Sequence, residues 1–140
     1  MTFGAASIYV GYEQLGQNQN PIVVRFDGGA ETYCVRNEVE SPDGRALGIT
    51  WDGGPVAYVV YTIVGGGSAF DAKAKGKWLD GYGNGGASSK VSFLGAIDAA
   101  NGELQFGTFV IAKKADGKTN THAPADAITR LADGRLEFRG

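Results

Sequence analysis

A glycine follows an acid or amide at Asp27, Asp43, Asp52, Asp80, Asn84, Asn101, Asp116 and Asp133, and most of these pairs stand between short runs rich in Val, Ile, Tyr, Phe and Thr. Asp-Gly and Asn-Gly form tight hairpin turns because both residues tolerate the left-handed backbone that matches the twist of paired strands. A chain punctuated this often has no room for long helices, and roughly eight to ten short strands are expected. Regular short strands with turns at this spacing predict a mainly β fold, a single antiparallel β-barrel or β-sandwich domain.

The strongest hairpin is Leu47 to Val64, where Asp52-Gly53-Gly54-Pro55 joins two strand-forming runs. Val56 to Val64 is apolar at nearly every position, which suits a central strand covered on both faces. Before it, the sequence predicts a strand near Ser7–Tyr12, a polar loop over Gln14–Asn20 closed by Pro21, then Ile22–Phe26 and Glu31–Val39 as a hairpin. Pro21 lacks an N–H and is expected to mark a strand boundary. After Val64 the texture changes. Ser68 stands as an N-cap, Asp71 follows three residues on, and Phe70, Ala74 and Trp78 are spaced by four, predicting one short α-helix at about 69–80. Gly76 weakens that helix, and Gly81 or Gly83 is expected to close it. The lysines of this segment lie away from its Phe70/Trp78 stripe. A glycine-rich loop around Tyr82, two further strands over Lys90–Ala112 and a final hairpin over Ala127–Arg139 complete the chain.

With 140 residues the chain fits one domain, 1–140. A weak echo between Ile22–Glu31 and Phe93–Glu103 raises the alternative of two degenerate halves, about 1–64 and 90–140, separated by the helix and glycine-rich loop of 65–89. The 23 glycines are interleaved with strand formers, which indicates turns rather than disorder. The formal charge of −2 supplies no field to attract a polyanion, so no nucleic-acid partner is expected. No uninterrupted apolar run is long enough to span a membrane as a helix. Met1–Ser7 lacks the basic and apolar regions of a leader, so the expectation is a soluble protein, cytoplasmic or secreted after leader removal.

Chemistry-bearing groups are few. Cys34 is the one cysteine, so no intrachain disulfide can form, and a buried, inert thiol is expected for it. His122 is the one histidine and sits in the polar run Thr119–Pro124. One His and one Cys make a zinc site improbable, and no cofactor or metal is expected. No nucleophile-elbow pattern accompanies Ser88, Ser89 or Ser92. Glu31, Glu38, Asp52, Asp98 and Glu103 are the acids from which a carboxylate-dependent hydrolase would draw its pair. Aromatic residues in or beside turns offer another route, since exposed rings supply flat apolar faces for sugars or protein partners. Trp51, Trp78 and Tyr82, with His122, are the candidate binding residues, although Trp51 and Trp78 suit core anchors as well.

The pattern of a strand ending in Asp-Gly followed by a short aromatic-containing strand, as in Ile128 to Phe138, resembles single blades of bacterial β-propeller repeats. Two such units cannot close a propeller, so this resemblance implies a ring only if several chains contribute. Trp51-Asp-Gly-Gly, Trp78-Leu-Asp-Gly-Tyr-Gly and Gly117-Lys-Thr-Asn-Thr-His together resemble small uncharacterised proteins of cyanobacterial type, and no activity comes with that similarity. The sequence as a whole points to a non-enzymatic binding or structural module for a protein or carbohydrate partner. A self-assembling β subunit, filament or ring, and a small carboxylate-dependent hydrolase are the alternatives.

Overall fold

The structure is a computed structural model and describes residues 1–39, 43–64, 68–77, 90–113, 115–116, 119–120 and 127–139. β1 (Thr2–Phe3), β2 (Ala6–Leu15), β3 (Asn18–Asp27) and β4 (Ala30–Arg36) form a first sheet in that order. β5 (Gly44–Thr50), β6 (Val56–Val64), β7 (Lys90–Asp98) and β8 (Leu104–Val110) form a second, also in chain order. α1 (Ser68–Ala74) lies between β6 and β7 in the chain. Two small ribbons follow, β9 (Ala112–Lys113) with β10 (Thr119–Asn120) and β11 (Ala127–Arg130) with β12 (Leu136–Arg139). All these strand pairs are antiparallel and none of the sheets closes into a barrel, so the fold is sandwich-like. No helix among the described residues is long and apolar enough to cross a membrane.

The turns fall where they are expected, but only their glycines, Gly28, Gly53, Gly102 and Gly134, take the left-handed backbone, and among the described residues no Asp or Asn does. Asp27-Gly28, Asp52-Gly53, Asn101-Gly102 and Asp133-Gly134 each join two paired strands. β6 is an interior strand of its sheet, flanked by β5 and β7. The division between sheets falls between 36 and 44, whereas β6 and β7, on either side of 65–89, are neighbours in one sheet.

Alternation sends Ala57, Val59, Tyr61 and Ile63 of β6 to the inner face, opposite Ile97, Gly95, Phe93 and Val91 of β7. The first sheet covers part of this face with Ile8 and Val23, both fully buried. α1 covers another part. Phe70 meets Phe93 at 5.0 Å and Tyr61 at 5.2 Å, both edge-on, and Phe93 meets Phe109 at 5.1 Å. Gly107 leaves the space for this cluster, since a Cβ there would lie 2.2 Å from the Phe93 ring. An inter-sheet clamp lies at Arg25, whose guanidinium forks onto Asp27 at 2.8–3.1 Å and donates to the Ala99 carbonyl at 2.6 Å.

Four expectations are corrected. The polar loop over Gln14–Asn20 is only a turn at 16–17, because β2 and β3 pair from Leu15/Asn18 onward. Pro21 lies inside β3, not at its boundary. Its carbonyl accepts from the Asn37 N–H at 2.9 Å, so its nitrogen also faces the end of β4 and away from β2, and the missing N–H takes no bond from the β2–β3 ladder. The helix stops at Ala74, because Gly76 takes φ +73° and the Lys77 N–H folds back to the Ala74 carbonyl at 2.9 Å. Cys34 is exposed: alternation does set it opposite Tyr33 and Val35, and that side of the first sheet faces solvent.

Candidate functional site

The outer face of the second sheet is built by the same alternation that fills the core. Tyr58, Ala96 and Phe106 form one cross-strand row, and Val60, Leu94 and Thr108 form the next. The β11–β12 ribbon lies over one half of this face. Ile128 packs on Val60, and Leu136 is part-buried against the same cluster, beside Tyr58 and Leu94. The Arg130 N–H donates to Thr50 Oγ1 at 3.2 Å, which ties the ribbon to β5.

Beyond the ribbon the apolar floor continues over β7 and β8. Tyr58, Leu94, Ala96, Phe106, Thr108 and Leu136 line a hollow of about 260 Å³, with the backbone of Gly95 and Gly107 between them. Phe106 is 46% exposed there. Lys77 stands at the rim, its Nζ 5.2 Å from the Phe106 ring centroid. The route that brings it there is local: α1 is docked on the inner face by Phe70 and Ala74, both fully buried, and packs on β8. The chain leaves the helix through Gly76 and carries Lys77 past the edge strand. A ring or branched chain buried in the hollow would contribute about 1.5–3 kcal/mol from its apolar area.

A second, more polar hollow of about 380 Å³ lies at the other end of β5, among Thr50, Trp51, Asp52, Arg130 and Gly134. Asp52 and Arg130 form an ion pair across it. Trp51 is only 5% exposed, donates its indole N–H to the Gly54 carbonyl at 2.7 Å, meets Phe3 edge-on at 6.1 Å and has the Arg25 guanidinium 5.4 Å over its ring. Its faces and its polar handle are therefore occupied, and it serves as an anchor between the sheets rather than a stacking platform. Trp78, Tyr82 and His122 lie outside the described residues.

The acids considered for hydrolysis have ordinary structural partners or open surroundings. Asp52 Oδ1 accepts from the Gly54 N–H at 3.0 Å, Asp98 Oδ1 accepts from the Ala100 N–H at 2.8 Å, and Glu31, Glu38 and Glu103 are exposed. Asp27 is held below the usual carboxylate range, first by the hydrogen bonds from Arg25 and then by that from Thr32. The Tyr61 phenol is pushed well above its ordinary value by burial. Among the described residues no group of three His, Cys, Asp or Glu side chains is placed to hold a metal ion.

Sequence reasoning named none of the residues of the apolar hollow as a site. Tyr58, Leu94 and Phe106 read as strand interior, and nothing in a two-residue period shows which stretch of a covered face is left open. Lys77 lies beyond the end of α1 and is exposed, and its neighbour across the sheet edge is set by tertiary packing. Set against protein-family models, curated proteins and solved structures, the chain matches none of them.

Proposed function

We propose that this protein is a non-enzymatic binding module whose site is the hollow on the outer face of the second sheet. The observation that carries this is the half-exposed Phe106 on an apolar floor that continues from the part of the sheet where the β11–β12 ribbon already buries Val60. A concave apolar surface with few polar groups is the usual form of a small-ligand site, although this one lies just below the common range of about 300–1,000 Å³. The test is titration with N-phenyl-1-naphthylamine, a neutral probe that fluoresces when shielded from water. Saturable binding that weakens at least about fivefold in Phe106→Ser or Leu136→Ser, about 1 kcal/mol, supports the assignment. Binding unchanged in both variants, or no binding at all, overturns it.

A second reading, self-assembly, is favoured by the outer edge of β4, which pairs with no other strand among the described residues. The Pro21/Asn37 hydrogen bond sets the alternation along the β3–β4 ladder, so the N–H and C=O groups of Cys34 and Arg36 face away from β3. Both residues are exposed, and an unpaired edge is a template for another strand. The other edges of the two four-stranded sheets are blunted: β1 is two residues long, β5 is irregular at Leu47 and packs against β2 and β3, and β8 packs against α1. Light scattering across a concentration series separates the readings. A discrete multiple of 14.6 kDa that collapses in Cys34→Pro, which removes an outward-facing N–H and leaves the β3–β4 ladder its bonds, supports pairing through β4, and a constant 14.6 kDa sinks it.

A further inference from the structure

We infer that the hollow selects an apolar ligand that carries an anionic end, a carboxylate or sulfonate, with Lys77 as the counter-charge; this rests on the hollow being a binding site. Lys77 is the one charged side chain among the described residues that line it. The ion pairs between described residues engage Arg25, Arg36, Arg130, Arg135 and Arg139, and none engages Lys77. Among the described residues no carboxylate lines the hollow to compete for it. Its ammonium is instead held 5.2 Å from the Phe106 centroid, over the residue that forms the most exposed part of the floor.

This placement makes the charge of the ligand matter. A neutral group seated on Phe106 would strip water from one side of the Lys77 ammonium and supply no opposite charge, which opposes binding. An anionic end at the rim replaces that water with a charge-assisted contact while the apolar body covers Phe106 and Leu94. A cationic end would meet the like charge of Lys77. The attraction is modest because the rim is open to solvent, and salt weakens it.

Two probes with the same arylaminonaphthalene body test this: 1-anilinonaphthalene-8-sulfonate, which is anionic, and N-phenyl-1-naphthylamine, which is neutral. In the native protein at low salt the sulfonate is expected to bind about three- to fivefold more tightly than it does to Lys77→Gln, the gain of an exposed ion pair. Lys77→Gln should strengthen the neutral probe slightly, because no ammonium is then desolvated, and Lys77→Glu should weaken the sulfonate further. The preference should shrink as salt rises from about 0.01 M to about 1 M, where the screening length falls from about 30 Å to about 3 Å. Lys77 is exposed, so neither substitution endangers the fold. If both probes bind and Lys77→Gln changes neither, or changes both alike, the charge selection is wrong while the hollow stands as a site. If neither probe binds, the site and its selectivity fall together.

Discussion

Tyr61 is the residue whose chemistry fits its surroundings least. It is fully buried between Phe70 and Phe93, and its hydroxyl has no hydrogen-bond partner among the described residues. An orphaned buried hydroxyl costs about 1–3 kcal/mol of desolvation, so Tyr61→Phe, which keeps the ring, is expected to stabilise the protein by about 1 kcal/mol in chemical denaturation. A loss of stability would mean that the phenol is hydrogen-bonded after all. Gly107 makes the opposite case. Gly107→Ala would drive a methyl into the Phe93 ring, which Phe70 and Phe109 already hold from other sides, and into the Leu94 carbonyl 2.6 Å away. Overpacking of that kind costs about 1–3 kcal/mol, read as an earlier denaturation midpoint. Neither effect is visible in the sequence: Tyr61 sits in an apolar strand like its neighbours, and Gly107 sits inside a predicted strand with nothing beside it in the chain to show what ring needs its space.

At the scale of elements, the helix and the final ribbon show how far local pattern reaches. Phe70 and Ala74, four apart, do face the core, but the stripe continues to Trp78 across Gly76, and the spacing alone extends the helix too far. The stop comes from one glycine in the left-handed conformation. Gly76→Ala is expected to cost about 1–2 kcal/mol, because a Cβ is disfavoured at φ +73°. The lower melting temperature should come without loss of the β signal in circular dichroism. The β11–β12 ribbon is marginal alone, since two strands bury too little. Ile128, which packs on Val60, and the Arg130–Thr50 bond hold it to the second sheet. Ile128→Ala should therefore speed amide exchange over 127–139 by a larger factor than over β6 and β7, whereas equal acceleration would show that the ribbon unfolds only with the whole domain.

For the whole molecule, the Arg25 clamp links the first sheet to the turn after β7, and it titrates. The folded Asp27 carboxyl is lowered from its ordinary 3.8 by Arg25, so it binds protons less readily than in the unfolded chain. The stabilisation is therefore complete above about pH 5 and is lost as pH falls from there through the lowered folded value. Thermal melts should show a drop between neutral pH and about pH 3 that is smaller in Asp27→Asn, whose side chain does not titrate. An unchanged drop in that variant would assign the acid sensitivity to other carboxylates. Arg25 itself stays protonated throughout.

The sequence by itself determined the β class, the hairpins at Asp27, Asp52, Asn101 and Asp133, the interior strand Val56–Val64 and the buried face of α1. These follow from turn chemistry and side-chain period, which act within a few residues of the chain. Tertiary structure alone decided that Cys34 faces solvent, that Pro21 sits harmlessly inside a strand, that Trp51 is closed in by Phe3 and Arg25, and that Phe106 lies open beside Lys77. Each of those depends on what another part of the chain covers. Alternation assigns a side chain to one face of a sheet, but whether that face is buried is settled by which elements pack on it and how far they extend.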